Sequence, residues 1–121
     1  MKRKAKNFEH VGDRIGIPMK WDMQLINNIL ETADGYWSYE EHFEQIIEEC
    51  AELIVALQKR KRQLKENGVA SRECIDDIRS ELADVIIMSA QLTKMLNSEI
   101  VGEFIFLKGA KMVKLIKDGK R

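Results

Sequence analysis

The chain has 121 residues, 45% apolar and 33% charged, a length and composition that suit one small domain with a real core rather than two domains. Its 20 basic and 20 acidic side chains cancel. That balance speaks against a dedicated nucleic-acid binder, which is usually strongly basic, and against an acidic disordered tail.

Residues 1 to 17 are basic, contain Gly12 and Gly16, and show little periodicity, so they read as a weakly structured N-terminal segment. Pro18 suits the first turn of a helix, where its missing N–H costs nothing. Trp21, Leu25, Ile26, Ile29 and Leu30 then recur at helical spacing, and Asp34-Gly35 stops that helix. Ser38 followed by Glu41 has the spacing of a capping box and opens a second helix. Its apolar stripe is Phe43, Ile46, Ile47, Cys50, Leu53, Ile54 and Leu57, and Asn67-Gly68 breaks it.

Ser71 caps a third helix that runs to about Asn97. Between Leu82 and Met88 this helix is apolar nearly all round except at Asp84, a pattern that predicts burial on more than one side. Ser98 is the expected cap of a fourth helix carrying Val101, Phe104, Ile105, Leu107, Met112, Leu115 and Ile116, which Asp118-Gly119 ends. No segment alternates with a period of two. The expectation is an all-α, four-helix-bundle-like domain over residues 18 to 121. So much apolar surface on the third helix predicts a homo-oligomer.

No apolar run approaches the ~18 residues of a membrane span, and no apolar stretch follows the basic start as in a signal peptide. Cys50 and Cys74 form neither a disulfide framework nor a CxxC metal motif, and both lie on apolar stripes as packing residues. A reduced, cytoplasmic protein is expected.

The charge balance hides a segregation. From Trp21 to Gln58 there are nine acidic residues and no Lys or Arg. From Lys59 to Lys65 there are five basic residues and no acidic one. From Lys108 to Arg121 there are six basic residues against one acidic, Asp118. Solvated helices usually interleave their signs to gain i,i+4 pairs. An unmixed acidic stretch therefore looks for its partner elsewhere, in another helix, a subunit or a metal ion.

Within that stretch, Glu48, Glu49 and Glu52 share one helix, and Glu81 and Asp84 lie on the next. Residues three or four apart on a helix are surface neighbours. Glu49 and Glu52 thus point one way, as do Glu81 and Asp84, and antiparallel packing lets the four converge. A Glu pair of this spacing is most often just a solvated face. Here, however, Glu81 and Asp84 interrupt an apolar run, and buried carboxylates need partners. One or two divalent cations would supply them. An oxygen-only donor set favours Mg²⁺, with Mn²⁺ as a substitute, and suits hydrolysis at phosphorus by a metal-positioned water. Di-iron bundles need Glu-x-x-His, and neither His10 nor His42 follows a Glu at that spacing.

EExxE followed by ExxD on two helices of a small all-α chain resembles the MazG-type nucleotide pyrophosphohydrolases of the all-α NTP pyrophosphatase superfamily. The matching segments are IIEECAELIVALQK and RSELADVIIMSAQL, and the resemblance covers about Ser38 to Lys117. It implies conversion of a nucleoside or deoxynucleoside triphosphate to monophosphate and pyrophosphate with Mg²⁺. It implies metal ligation by Glu49, Glu52, Glu81 and Asp84, with Glu48 supporting the metal shell or orienting the water. On the last helix KMVKL matches a K-x-x-R-L phosphate-binding pattern through Lys111 and Lys114, with Lys in place of Arg. Gln91 stands where members often carry Asn, with a longer reach. Members form dimers or tetramers.

Other residues have plainer readings beside functional ones. Trp37, at the turn before the acidic helix, is within plausible reach of a nucleotide base, though packing is the commoner role. Trp21 reads as core. Lys59 to Arg62 can meet phosphates or nucleic acid, though a helix end closed by solvated charge is the commoner role. His42 reads as a surface or interface residue rather than a general base. Two rival functions remain: a catalytically silent regulatory or partner-binding module that keeps the fold and metal site, and a structural bundle whose acidic helix pairs with a basic helix of another subunit.

Overall fold

The computed structural model describes residues 23–119, and among them the only regular elements are four helices. They are α1 (Met23–Tyr36), α2 (Tyr39–Asn67), α3 (Arg72–Met95) and α4 (Ser98–Lys117). The all-α expectation is met. The expectations for residues 1 to 17, Pro18, Trp21 and Lys120 lie outside the described residues. The chain divides into two compact units, Met1–Thr32 and Ala33–Arg121, with the division inside α1. In the described part of the first unit, Leu25 is exposed while Ile26, Ile29 and Leu30 are half-buried. The helix passes through Asp34-Gly35 and ends at Tyr36, one residue past the expected stop.

The second unit holds the candidate site, and local signals fix its helix ends. Ser38 Oγ accepts from the Glu41 backbone N–H at 3.2 Å, and Glu41 Oε1 accepts from the Ser38 N–H at 2.8 Å, completing the capping box. Gly68 ends α2 in the left-handed conformation at φ 79°, its N–H donating to Leu64. Ser71 caps α3 by accepting from the Cys74 N–H at 3.1 Å, and its own N–H donates to Gln63 Oε1 at 2.7 Å. That second bond ties the turn back onto α2.

One cap differs from the sequence reading. Asn97, not Ser98, caps α4: its Oδ1 accepts from the N–H groups of Glu99 and Ile100 at 3.1 and 3.3 Å. Asn97 sits at φ 76°, a region Asn enters far more easily than most residues. The helical run is interrupted there, which leaves Ser98 as the first helical residue of α4.

α2 and α3 form the main packing pair. Cross-helix partners run in opposite order along the two helices: His42 with Gln91, Glu52 with Glu81, Lys59 with Asp77, and Gln63 with Ser71. The pair is therefore antiparallel, as four carboxylates require if they are to meet. Ala56, Cys74 and Met88 are buried, and Phe43, Ile46, Leu53, Ile75, Ile78, Val85 and Leu92 are half-buried.

Burial is narrower than the apolar stripes. Ile47, Ile54 and Leu57 on α2, and Leu82 and Ile86 on α3, are exposed, whereas residues 87 to 93 of α3 are all half-buried or buried, more than one side of that helix. Cys50 is exposed too, a correction to its packing role, whereas Cys74 is buried; both thiols are free. A single packing partner covers one side of a helix, and these stripes are wider than that. Among the described helices α4 meets only α3, and it has no buried residue. None of these helices is long and apolar enough to cross a membrane.

Candidate metal centre

Mid-way along the α2–α3 seam the carboxylates gather. Glu49 and Glu52, one turn apart on α2, and Glu81 on α3 each offer an oxygen, and these three oxygens lie within 4.8 Å of one another. Glu49 and Glu81 are half-buried and Glu52 is exposed. One oxygen of Glu49 and one of Glu81 (Oε1 in both) are shut off from solvent and have no hydrogen-bond partner. Among the described residues no Lys or Arg forms an ion pair with any of the three.

The electrostatic consequence is direct. Burial, then the charge of Asp84, then those of Glu52, Glu81 and Glu48 push the Glu49 carboxyl above its ordinary value of 4.5. Glu81 is raised first by burial, next by the Glu52 carboxylate close beside it, and then by the charges of Asp84 and Asp77. Asp84, half-buried, is thus the strongest charge acting on Glu49 while standing outside the close triad. Of the four ligands expected, three come to a point and the fourth flanks it. Glu48 is exposed and is the weakest of the charges on Glu49.

The donor set passes the chemical test for a hard divalent cation. It is all oxygen, no Lys or Arg among the described residues is paired with it, and two of its oxygens are unsatisfied. Unpaired buried carboxylate oxygens are costly, and a cation removes that cost along with the mutual repulsion.

The remaining expected residues fall elsewhere. Gln91 is buried and its Oε1 lies 3.1 Å from His42 Nδ1. His42, read from sequence as a surface or interface residue, is 4% exposed, and the surface reading is corrected. Its ring meets Trp37 edge-on at 5.8 Å, and its Nε2 is buried without a partner. The sequence did hold a signal. His42 lies seven residues before Glu49 and Gln91 seven after Asp84, about two turns on the same faces at ~3.6 residues per turn, so carboxylates that meet bring this pair together as well. Trp37 is half-buried, held edge-on between Tyr36 and His42.

Lys111 and Lys114 are exposed on α4, and Lys114 Nζ lies 3.3 Å from Asp118 Oδ2. No ion pair among the described residues joins either lysine to the carboxylates. Compared with protein-family models, with curated proteins and with solved structures, the chain gives no match.

Proposed function

We propose that the chain is a Mg²⁺-dependent nucleoside or deoxynucleoside triphosphate pyrophosphohydrolase, releasing the monophosphate and pyrophosphate. The observation that carries the reading is the meeting of Glu49, Glu52 and Glu81 across two helices, with two buried oxygens unpartnered and no Lys or Arg among the described residues paired to them. The reaction class rests on the resemblance of EExxE and ExxD to the MazG-type enzymes. Glu49, Glu52, Glu81 and Asp84 would hold Mg²⁺, or Mn²⁺ in its place. When bound, the ion supplies charge neutralisation for the phosphates and positions the water that attacks the α-phosphorus. Glu48 and Glu49 orient that water and accept its proton. Lys111 and Lys114 offset phosphate charge. Gln91 holds His42, and through it Trp37, at the end of the seam where the nucleoside moiety is to be sought.

The functional unit in this reading is a homodimer or homotetramer. α4 exposes Phe104, Ile105, Phe106 and Leu107 in succession, and a second copy would cover them. Two free cysteines suit the reducing cytoplasm.

The test is to incubate the purified protein with Mg²⁺ and each canonical NTP and dNTP separately, and to separate the products by chromatography. Monophosphate and pyrophosphate, lost on adding EDTA, are the expected products. Diphosphate and phosphate would refute attack at the α-phosphorus. Metal-dependent thermal stabilisation with no turnover of any nucleotide would favour the silent regulatory module.

A further inference from the structure

The seam does not end at the carboxylates. An open groove of about 500 Å³ continues from Glu52 and Glu81 to Lys59 and Asp77, with Val55 and Ala56 along its wall. Lys59 is the sole cation among the described residues lining it. It is half-buried, whereas its neighbours Arg60, Lys61 and Arg62 are exposed. Glu52 and Lys59 lie seven residues apart on α2, and Asp77 lies one turn before Glu81 on α3, which puts all four groups along one groove.

Lys59 is only loosely held there. Its Nζ is 3.9 Å from Asp77 Oδ2, beyond hydrogen-bonding distance, and both side chains are about half exposed. Such a pair contributes little stability and is readily exchanged. A phosphate offers more charge and several acceptor oxygens, and so a stronger charge-assisted hydrogen bond.

We propose that Lys59 is an anion anchor of this site, leaving Asp77 to bind the pyrophosphate portion of a metal-bound polyphosphate that lies along the groove. The proposal rests on the reading of the carboxylates as a metal centre. It assigns a phosphate contact within the same chain, where the α4 lysines form no ion pair with the site. Asp77 then acts as a competitor: it keeps Lys59 facing the groove when no anion is bound and gives it up when one arrives.

The experiment is calorimetric titration of the full chain with inorganic pyrophosphate in the presence of Mn²⁺, preceded by titration with Mn²⁺ alone. The variants are Lys59→Gln, Asp77→Asn and, as a control in the same basic run, Arg62→Gln. Lys59→Gln is expected to weaken pyrophosphate binding at least fivefold while leaving Mn²⁺ binding and the melting temperature unchanged. Arg62→Gln is expected to stay within twofold of the wild type, and Asp77→Asn to bind pyrophosphate as well or more tightly. Wild-type affinity in Lys59→Gln, an equal loss in Arg62→Gln, or weakened binding in Asp77→Asn overturns the assignment. Mn²⁺ binding without pyrophosphate binding in the wild type overturns the anchor and leaves the metal centre standing. Binding of neither overturns both.

Discussion

At the scale of single residues, the carboxylates of the seam are in conflict until something positive joins them. Both raised carboxyls, Glu49 and Glu81, take up protons more readily in the folded chain than in the unfolded one. The sign of the pH dependence follows from that. Without metal, their effect on stability is neutral below the ordinary value of 4.5 and becomes unfavourable as pH rises through the raised values. Melting temperature in EDTA is therefore expected to fall across that window, and Mn²⁺ to recover most of the loss. Glu81→Gln removes one charge and is expected to raise the metal-free melting temperature at pH 7 while abolishing metal binding. A lowered metal-free melting temperature in that variant would contradict the picture of unrelieved repulsion. Glu49→Gln and Asp84→Asn are expected to abolish nucleotide turnover with unchanged helical circular dichroism, and retained activity in both would remove the site assignment.

At the scale of the helices, stability is set by ends as well as by the seam. Asn97 supplies both a side-chain cap and a tolerated positive φ. Asn97→Ala loses both and is expected to cost about 1–2 kcal/mol, whereas Asn97→Gly keeps the backbone freedom and costs less; urea unfolding of the two variants checks the order. This cap also shows what the sequence made plain and what it did not. The starts of α2 and α3 were readable because Ser38 and Ser71 precede long periodic stripes, and Ser38 has Glu41 at the right distance. At α4 two adjacent residues could each serve, and the choice fell on the one that tolerates a positive φ. The carboxylates were readable for a similar reason, since i,i+3 spacing on two neighbouring helices leaves few other arrangements. His42 was missed because a lone His between Glu41 and Phe43 looks solvated. Only its register with Gln91 across the seam buries it.

At the scale of the whole molecule, the exposed apolar surface is the dominant fact. The sequence patterns foretold wide stripes on α2, α3 and α4, and among the described residues each of these helices leaves apolar side chains exposed, Ile47, Ile54 and Leu57 on α2, Leu82 and Ile86 on α3, and Phe104 to Leu107 on α4. α4 is the extreme case, with no buried residue among twenty. Sedimentation at micromolar concentration is expected to give a dimer or larger species, and Phe106→Glu to shift it toward monomer. A purely monomeric wild-type chain would contradict this. An assembly held instead by acidic-to-basic helix pairing would weaken steeply with salt and ignore Mg²⁺, and sedimentation in high salt separates the two.

The most direct test of the central claim is titration of the purified chain with Mn²⁺ followed by electron paramagnetic resonance, in the wild type and in Glu49→Gln and Glu81→Gln. The carboxylate geometry predicts saturable binding of one or two ions per chain, lost in both variants. Absence of binding in the wild type, or undiminished binding in both variants, would show that Glu49, Glu52 and Glu81 are merely an acidic face and would withdraw the basis for the proposed reaction.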